Sequence, residues 1–110
     1  MSENSNVIEM SLNGQNLRLQ TAPGLFSPKA IDRGTLAMLG QVEFKRGMQI
    51  LDLGCGYGFV GLYAARLAGE ENVYLSDADP IAVKYARLNA EFNGLGGSIV
   101  KREQPNDEEI

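Results

Sequence analysis

The chain has no histidine and a single cysteine, Cys55. Without histidine it lacks the commonest metal ligand and the commonest general base, which argues against imidazole-based hydrolysis. One cysteine excludes an internal disulfide and any cysteine-rich metal centre, so no metal is expected. No apolar run approaches the roughly 18 residues that a membrane helix needs. The opening, Met1 to Asn6, is polar and has no secretory character, so a cytoplasmic protein without a membrane partner is expected. Positive charge is also scarce: 10 Lys and Arg against 14 Asp and Glu leave a net charge of −4. The basic residues are scattered, with Lys45-Arg46 and Lys101-Arg102 as the adjacent pairs. Such a pattern gives no strong electrostatic footprint for nucleic acid on this segment.

What is present is ordinary for a globular domain, 44% hydrophobic and 22% charged over 110 residues, which allows one compact unit. Val7 to Leu12 and Gln15 to Gln20 alternate around Asn13-Gly14. Asn-Gly between two alternating runs predicts a β-hairpin, because both residues tolerate positive φ. Thr21 to Gly24 ends that hairpin, and Leu25-Phe26-Ser27-Pro28 reads as an ordered loop. An apolar stripe of Ile31, Leu36 and Leu39 predicts a helix from about Ile31 to Val42, capped by Asp32 or Ser27.

From Met48 the pattern changes to alternating strands and helices. Met48 to Leu53, Asn72 to Ser76 and Ser98 to Lys101 read as strands. Phe59 to Leu67 and a second segment from Asp79-Pro80 to Asn93-Gly94 read as helices. Asp79 is the expected N-cap with Pro80 at the first helical position, and Ile81, Tyr85, Leu88 and Phe92 form the expected apolar face. Strand, helix, strand, helix, strand predicts an α/β fold: a parallel sheet of about three strands with flanking helices, preceded by the hairpin. The domain boundary is placed at residues 24 and 25, with 1–24 the hairpin and entry segment.

The chemistry concentrates in Asp52-Leu53-Gly54-Cys55-Gly56-Tyr57-Gly58-Phe59-Val60-Gly61. Gly54, Gly56 and Gly58 stand between a strand and a helix, where they let the backbone turn sharply and approach a ligand. The helix N-terminus then offers free N–H groups to whatever lies over the turn. A glycine turn alone is also a steric necessity of tight strand-to-helix connections. Its flanks add more. Asp52 stands near the end of the first strand, where open parallel sheets bind ligands, and Asp77 closes the second. A carboxylate at Asp77 can accept from both hydroxyls of a ribose, or it can serve as a helix cap beside Asp79. Gly56 to Gly61 also satisfies the dinucleotide pattern G-x-G-x-x-G. Charge separates these readings. Asp52 opposes a pyrophosphate over the turn but favours a ligand that carries a sulfonium and an ammonium. Cys55 reads as a small buried filler rather than a reactive thiol, and Tyr57 is left facing either ligand or solvent.

At these residues the chain closely resembles class I (Rossmann-like) methyltransferases, whose first motif has the form acidic-hydrophobic-Gly-x-Gly-x-Gly, as in Asp52 to Gly58. Thr21-Ala22-Pro23-Gly24-Leu25-Phe26-Ser27, then Asp32-Arg33-Gly34-Thr35, is similar to the entry segment of the methyltransferase small domain family. That family includes small-subunit ribosomal RNA guanine methyltransferases and release-factor glutamine methyltransferases. Asp79-Pro80-Ile81-Ala82-Val83 and Leu88 to Leu95 fit its second helix, so the likeness covers most of residues 21–95.

The resemblance implies S-adenosylmethionine as cofactor, with Gly54, Cys55, Gly56 and Gly58 lining its methionine and ribose portion. Asp52 would hold the amino group and Asp77 the ribose, with Ala78 beside it and Phe26 and Ser27 near the pocket mouth. Two departures stand out. Lys101-Arg102-Glu103 offers only Glu103 where the family has an acidic residue against adenine, and the acceptor motif Asn-Pro-Pro is absent from these residues. No catalytic residue is therefore assigned, and the segment is expected to bind the methyl donor rather than turn over. RNA, specifically a ribosomal guanine amino group, is the acceptor the resemblance implies. A nicotinamide-dependent oxidoreductase or a catalytically silent binding module is the alternative. In a doubly wound sheet the first strand is central, so its open edge predicts either a second copy of the chain or a missing C-terminal half.

Overall fold

The computed structural model describes residues 6–21, 39 and 41–102. Strands β1 (Asn6–Leu12) and β2 (Gln15–Thr21) form an antiparallel hairpin whose register closes at Leu12 and Gln15. Both turn residues adopt positive φ, 50° at Asn13 and 81° at Gly14, as the Asn-Gly pair requires. Asn13 also donates its side-chain amide to the Tyr63 hydroxyl at 2.9 Å, which ties the turn to the first helix. On β2 the inward residues Leu17, Leu19 and Thr21 are fully buried. Alternation thus gives the hairpin one core face and one wet face.

The second sheet is parallel, in the order β3 (Ile50–Leu53), β4 (Val73–Asp77), β5 (Ile99–Arg102). Helices α1 (Phe59–Ala68) and α2 (Pro80–Phe92) connect these strands. Hairpin, helices and sheet share one apolar core in which Leu17 and Leu19 join Leu62, Tyr63, Leu75, Val83, Ala86 and Val100. The α/β expectation holds, and the strand boundaries shift by one or two residues. Met48 and Gln49 are exposed and precede β3, while β4 extends to Asp77. Of the helix expected over residues 31–42, Leu39, Gln41 and Val42 fall among the described residues; Leu39 and Gln41 are helical, Leu39 is fully buried, and Val42 is exposed and lies outside the helix.

Helix α2 corrects the sequence reading. Its buried residues are Ala82, Val83, Ala86, Asn89 and Ala90, whereas Ile81, Leu88 and Phe92 are 42%, 40% and 39% exposed. The reason is distance. α2 passes close to the start of α1, where a β-carbon on Gly58 would lie 3.5 Å from that of Ala86, so small side chains occupy the contact. Phe92 is instead covered from outside by Arg18, whose guanidinium sits 4.9 Å from the ring centroid.

Two asparagines of α2 complete the pairing of β2. Asn89 Oδ1 accepts from the Gln20 amide at 2.6 Å and its Nδ2 donates to the Gln20 carbonyl at 3.1 Å. Asn93 repeats the pattern on Arg18, at 2.8 Å in both directions. The spacing explains the fit: four residues of helix rise about 6.0 Å, close to the roughly 6.6 Å between alternate residues of a strand. On the opposite face of the parallel sheet, the paired row Leu51, Tyr74 and Ile99 is exposed, and Leu51 and Leu53 at the β3 edge are each 62% exposed.

Packing of α1 on β4 is tightest at Gly61. A β-carbon there would lie 2.5 Å from Leu75 Cδ2 and 3.0 Å from Asp52 Oδ2, and Leu75 is wholly buried. Gly61→Ala is expected to destabilise the chain by about 1–3 kcal/mol, read as a lower urea midpoint with an unchanged slope. An unchanged midpoint would show that the helix can lift off the strand without cost.

Candidate functional site

Leaving β3, the backbone takes left-handed conformations at Gly54 (φ 68°), Gly56 (φ 57°) and Gly58 (φ 100°) before α1 begins at Phe59. Side chains other than glycine are strained there. The Cys55 amide donates to the Ser76 carbonyl at 2.8 Å, and the Gly58 amide folds back on the Cys55 carbonyl at 2.9 Å. Asp77, the last residue of β4, reaches across: its Oδ2 accepts from the Gly56 amide at 2.9 Å. Its Oδ1 accepts from the Asp79 amide at 2.9 Å, and Asp79 Oδ1 in turn accepts from Ile81 to cap α2, also at 2.9 Å. From below, Asn89 Nδ2 donates to the Tyr57 carbonyl at 2.9 Å.

Over the turn lies a cleft of about 220 Å³ lined by Gly54, Gly56, Tyr57, Asp77, Asp79, Ile81 and Ala82. A β-carbon on Gly54 would meet nothing within 4 Å, so that side of the turn is open. Tyr57 is nearly buried, with its ring edge-on to Tyr85 at 5.6 Å between centroids. Among the described residues no lysine or arginine lines the cleft. Arg102 lies on the strand beside Asp77, but its Nε is engaged with the Ala78 carbonyl at 3.2 Å.

Asp52 stands behind the turn with Oδ2 buried and without a hydrogen-bond partner. Burial pushes its carboxyl above the ordinary range; the Gly61 amide acts against that shift, and the neighbouring Asp77 adds to it. The same surroundings act on Cys55. Burial first, then the charges of Asp52 and Asp77, push its thiol up to about 12. A cation over this turn would be attracted by both carboxylates, whereas an anion would be repelled. Among the described residues no group of three or more His, Cys, Asp or Glu is placed to hold a metal ion, and no helix is long and apolar enough to cross a membrane.

A family model described as methyltransferase small domain matches residues 16–109. The chain belongs to this family. It is 37% identical over 84 residues to the ribosomal RNA small subunit methyltransferase C of Pseudomonas aeruginosa, covering 76% of this chain and 25% of that protein. The corresponding protein of Pseudomonas putida is 36% identical over 92 residues, covering 84% and 28%. Among solved structures, a T. thermophilus 16S rRNA methyltransferase in complex with AdoMet and guanosine superposes with a TM-score of 0.72 at 26% identity, covering 96% of this chain and 29% of that one. The chain therefore spans about a quarter of the length of the curated relatives it matches, 25% and 28%.

Of the residues expected at the methyltransferase site, the structure brings Gly54, Gly56 and Asp77 to the cleft wall; Gly58 and Asp52 belong to the same strand-turn unit but do not line the cleft. Cys55 is buried in the core as the filler reading has it and does not line the cleft, contrary to the cofactor contact the resemblance implies for it. Ala78 is exposed and does not line the cleft, because the chain turns away after Asp77 to start α2. Phe26, Ser27 and Glu103 lie outside the described residues. Four lining residues went unassigned: Tyr57, left facing either ligand or solvent, Asp79, read only as a cap, and Ile81 and Ala82, read only as helix. Asn89 was missed as well, although its spacing from Ala82 and Ala86 puts it on the same helical stripe.

Two outcomes follow. The raised carboxyl of Asp52 favours folding only while protonated, so its contribution is present below the unfolded value of about 3.9 and lost as pH rises through the folded one. Asp52→Asn should therefore be more stable than the parent near pH 7, and the gap should close on acidification, as read by urea midpoints across pH 4 to 8. A less stable variant at neutral pH would contradict the burial argument. Cys55, shifted from 9.0 to about 12, should react with a thiol-disulfide reagent roughly a thousandfold more slowly in the folded chain than in urea. Equal rates would place the thiol in solvent.

Proposed function

We propose that these residues form the methyl-donor-binding portion of an S-adenosylmethionine-dependent methyltransferase that, as a complete protein, modifies ribosomal RNA in the cytoplasm. One observation carries the reading: among the described residues the glycine turn is overlooked by carboxylates and by no cation, with Asp52 Oδ2 buried against it and unpartnered. That lining suits a ligand bearing a sulfonium and an ammonium and opposes the pyrophosphate of a nicotinamide dinucleotide. Family membership and the ribosomal RNA methyltransferases among the relatives support the same reaction class.

The residues present fit the cofactor. Each oxygen of Asp77 accepts one backbone amide and keeps a further lone pair, so the carboxylate is fixed in place yet able to accept from ribose hydroxyls. Asp52 is placed to favour the ammonium, directly or through water. The open side of Gly54 and the left-handed backbone at Gly56 admit close approach of the ligand. We assign Phe26 and Ser27 to the mouth of the pocket and the segment from residue 25 to the methyltransferase domain proper, with the hairpin as its N-terminal addition. When bound, S-adenosylmethionine supplies an activated methyl group with its leaving group already in place. The task of the protein is then to position the acceptor. No Asn-Pro-Pro acceptor motif occurs in these residues, so binding rather than turnover is their expected activity. The exposed edge of β3 supports a sheet that continues, through further chain or a second copy.

Calorimetric titration of the 110-residue chain with S-adenosylhomocysteine, and with NAD⁺ in parallel, tests the assignment. Binding of the first alone, weakened at least about tenfold in Asp77→Ala, is expected, since a charged acceptor for two hydroxyls is lost. Binding of NAD⁺ alone would overturn it.

A further inference from the structure

We propose that Asn89 is a positioning residue of the glycine turn, holding the Tyr57 peptide in one orientation while fixing the distance from that turn to β2. Its side chain is wholly buried and uses three hydrogen bonds: to both backbone groups of Gln20 and to the Tyr57 carbonyl. Asn93 makes the equivalent contacts to Arg18 from an accessible position and touches no part of the turn. Tethering the hairpin therefore does not require a buried amide. The additional bond at Asn89 is the one to Tyr57.

That carbonyl belongs to the peptide between Tyr57 and Gly58; Gly58 follows it at φ 100°, and Gly56, at φ 57°, stands one residue before Tyr57. Glycine resists rotation of a peptide plane less than any other residue, so a turn with Gly56 and Gly58 needs an external hold. One edge of this plane is held by the Gly58 amide on the Cys55 carbonyl, and the other edge by Asn89. Gln20 is next to the last residue of β2, so the same amide fixes where the chain leaves the hairpin relative to the turn. The effect on ligand affinity rests on the methyl-donor reading given above; the effect on the turn does not.

The test compares the 110-residue chain with Asn89→Ala and with Asn93→Ala as the control for hairpin tethering. Amide hydrogen exchange at Gly58, measured without ligand, should accelerate at least tenfold more in Asn89→Ala than in Asn93→Ala, while Arg18 responds to the control. S-adenosylhomocysteine affinity should fall at least tenfold in Asn89→Ala and stay within twofold in Asn93→Ala. Equal exchange at Gly58 in the two variants would overturn the proposal. If the parent chain does not bind S-adenosylhomocysteine, the methyl-donor reading fails, and the exchange comparison still decides the role of Asn89. Should Asn89→Ala not fold, the scalar coupling across the hydrogen bond from Asn89 Nδ2 to the Tyr57 carbonyl is measured in the parent chain. A resolved coupling supports the proposal, and its absence overturns it.

Discussion

The carboxylate of Asp77 determines where both helices of the parallel unit begin. One oxygen takes the Gly56 amide in the turn that leads into α1, and the other takes the Asp79 amide at the entrance to α2. Asp79 then caps α2 through Ile81. Two crossover connections are thus referred to one rigid group at the end of the middle strand. Amide bonds to a charged acceptor are stronger than neutral ones, so the frame of the cleft is set by a residue that itself faces the cleft. Structural and ligand-binding roles at Asp77 are compatible because a carboxylate has more lone pairs than the two the backbone uses. The choice between helix cap and ribose ligand is consequently not forced.

How much of this was legible in the sequence depends on how local the cause is. Asn13-Gly14 fixes a hairpin because two adjacent residues accept positive φ, and both do so here. Asp79-Pro80 starts a helix because a carboxylate and a missing N–H suit the first turn, independently of what the helix packs against. The buried face of α2 was misread for the opposite reason. Large apolar residues at Ile81, Leu88 and Phe92 suggest a core-facing stripe, but the partner surface at Gly58 allows only alanine-sized side chains at close range. Hydrophobicity read along a helix does not encode how near its neighbour stands.

The site divides along the same line. Gly54, Gly56, Gly58, Asp52 and Asp77 could be picked out because backbone conformation and charge are written at fixed spacings along one strand-turn-helix unit. Ile81 and Ala82 reach the cleft only because α2 starts beside the turn, a consequence of the Asp77 contact rather than of their own chemistry. Asn89 is less visible still. A polar residue inside a helix normally reads as solvent-facing, and its partners, Gln20 and Tyr57, lie 69 and 32 positions away in the chain.

Burial of Asp52 gives the clearest physical link between fold and ligand. A buried carboxylate oxygen without a partner is costly; Asp52 Oδ2 is one, and the Gly61 amide only partly offsets the burial of the carboxyl. An apolar or amide side chain would suit the folded chain better at neutral pH. A carboxylate held there gains if a cation approaches from above, because burial otherwise disfavours its charged form. The same reasoning runs against phosphate ligands, for which a glycine turn of this shape would otherwise be a good cradle. Geometry leaves the turn open to either class of nucleotide, and a carboxylate behind it disfavours the anionic one.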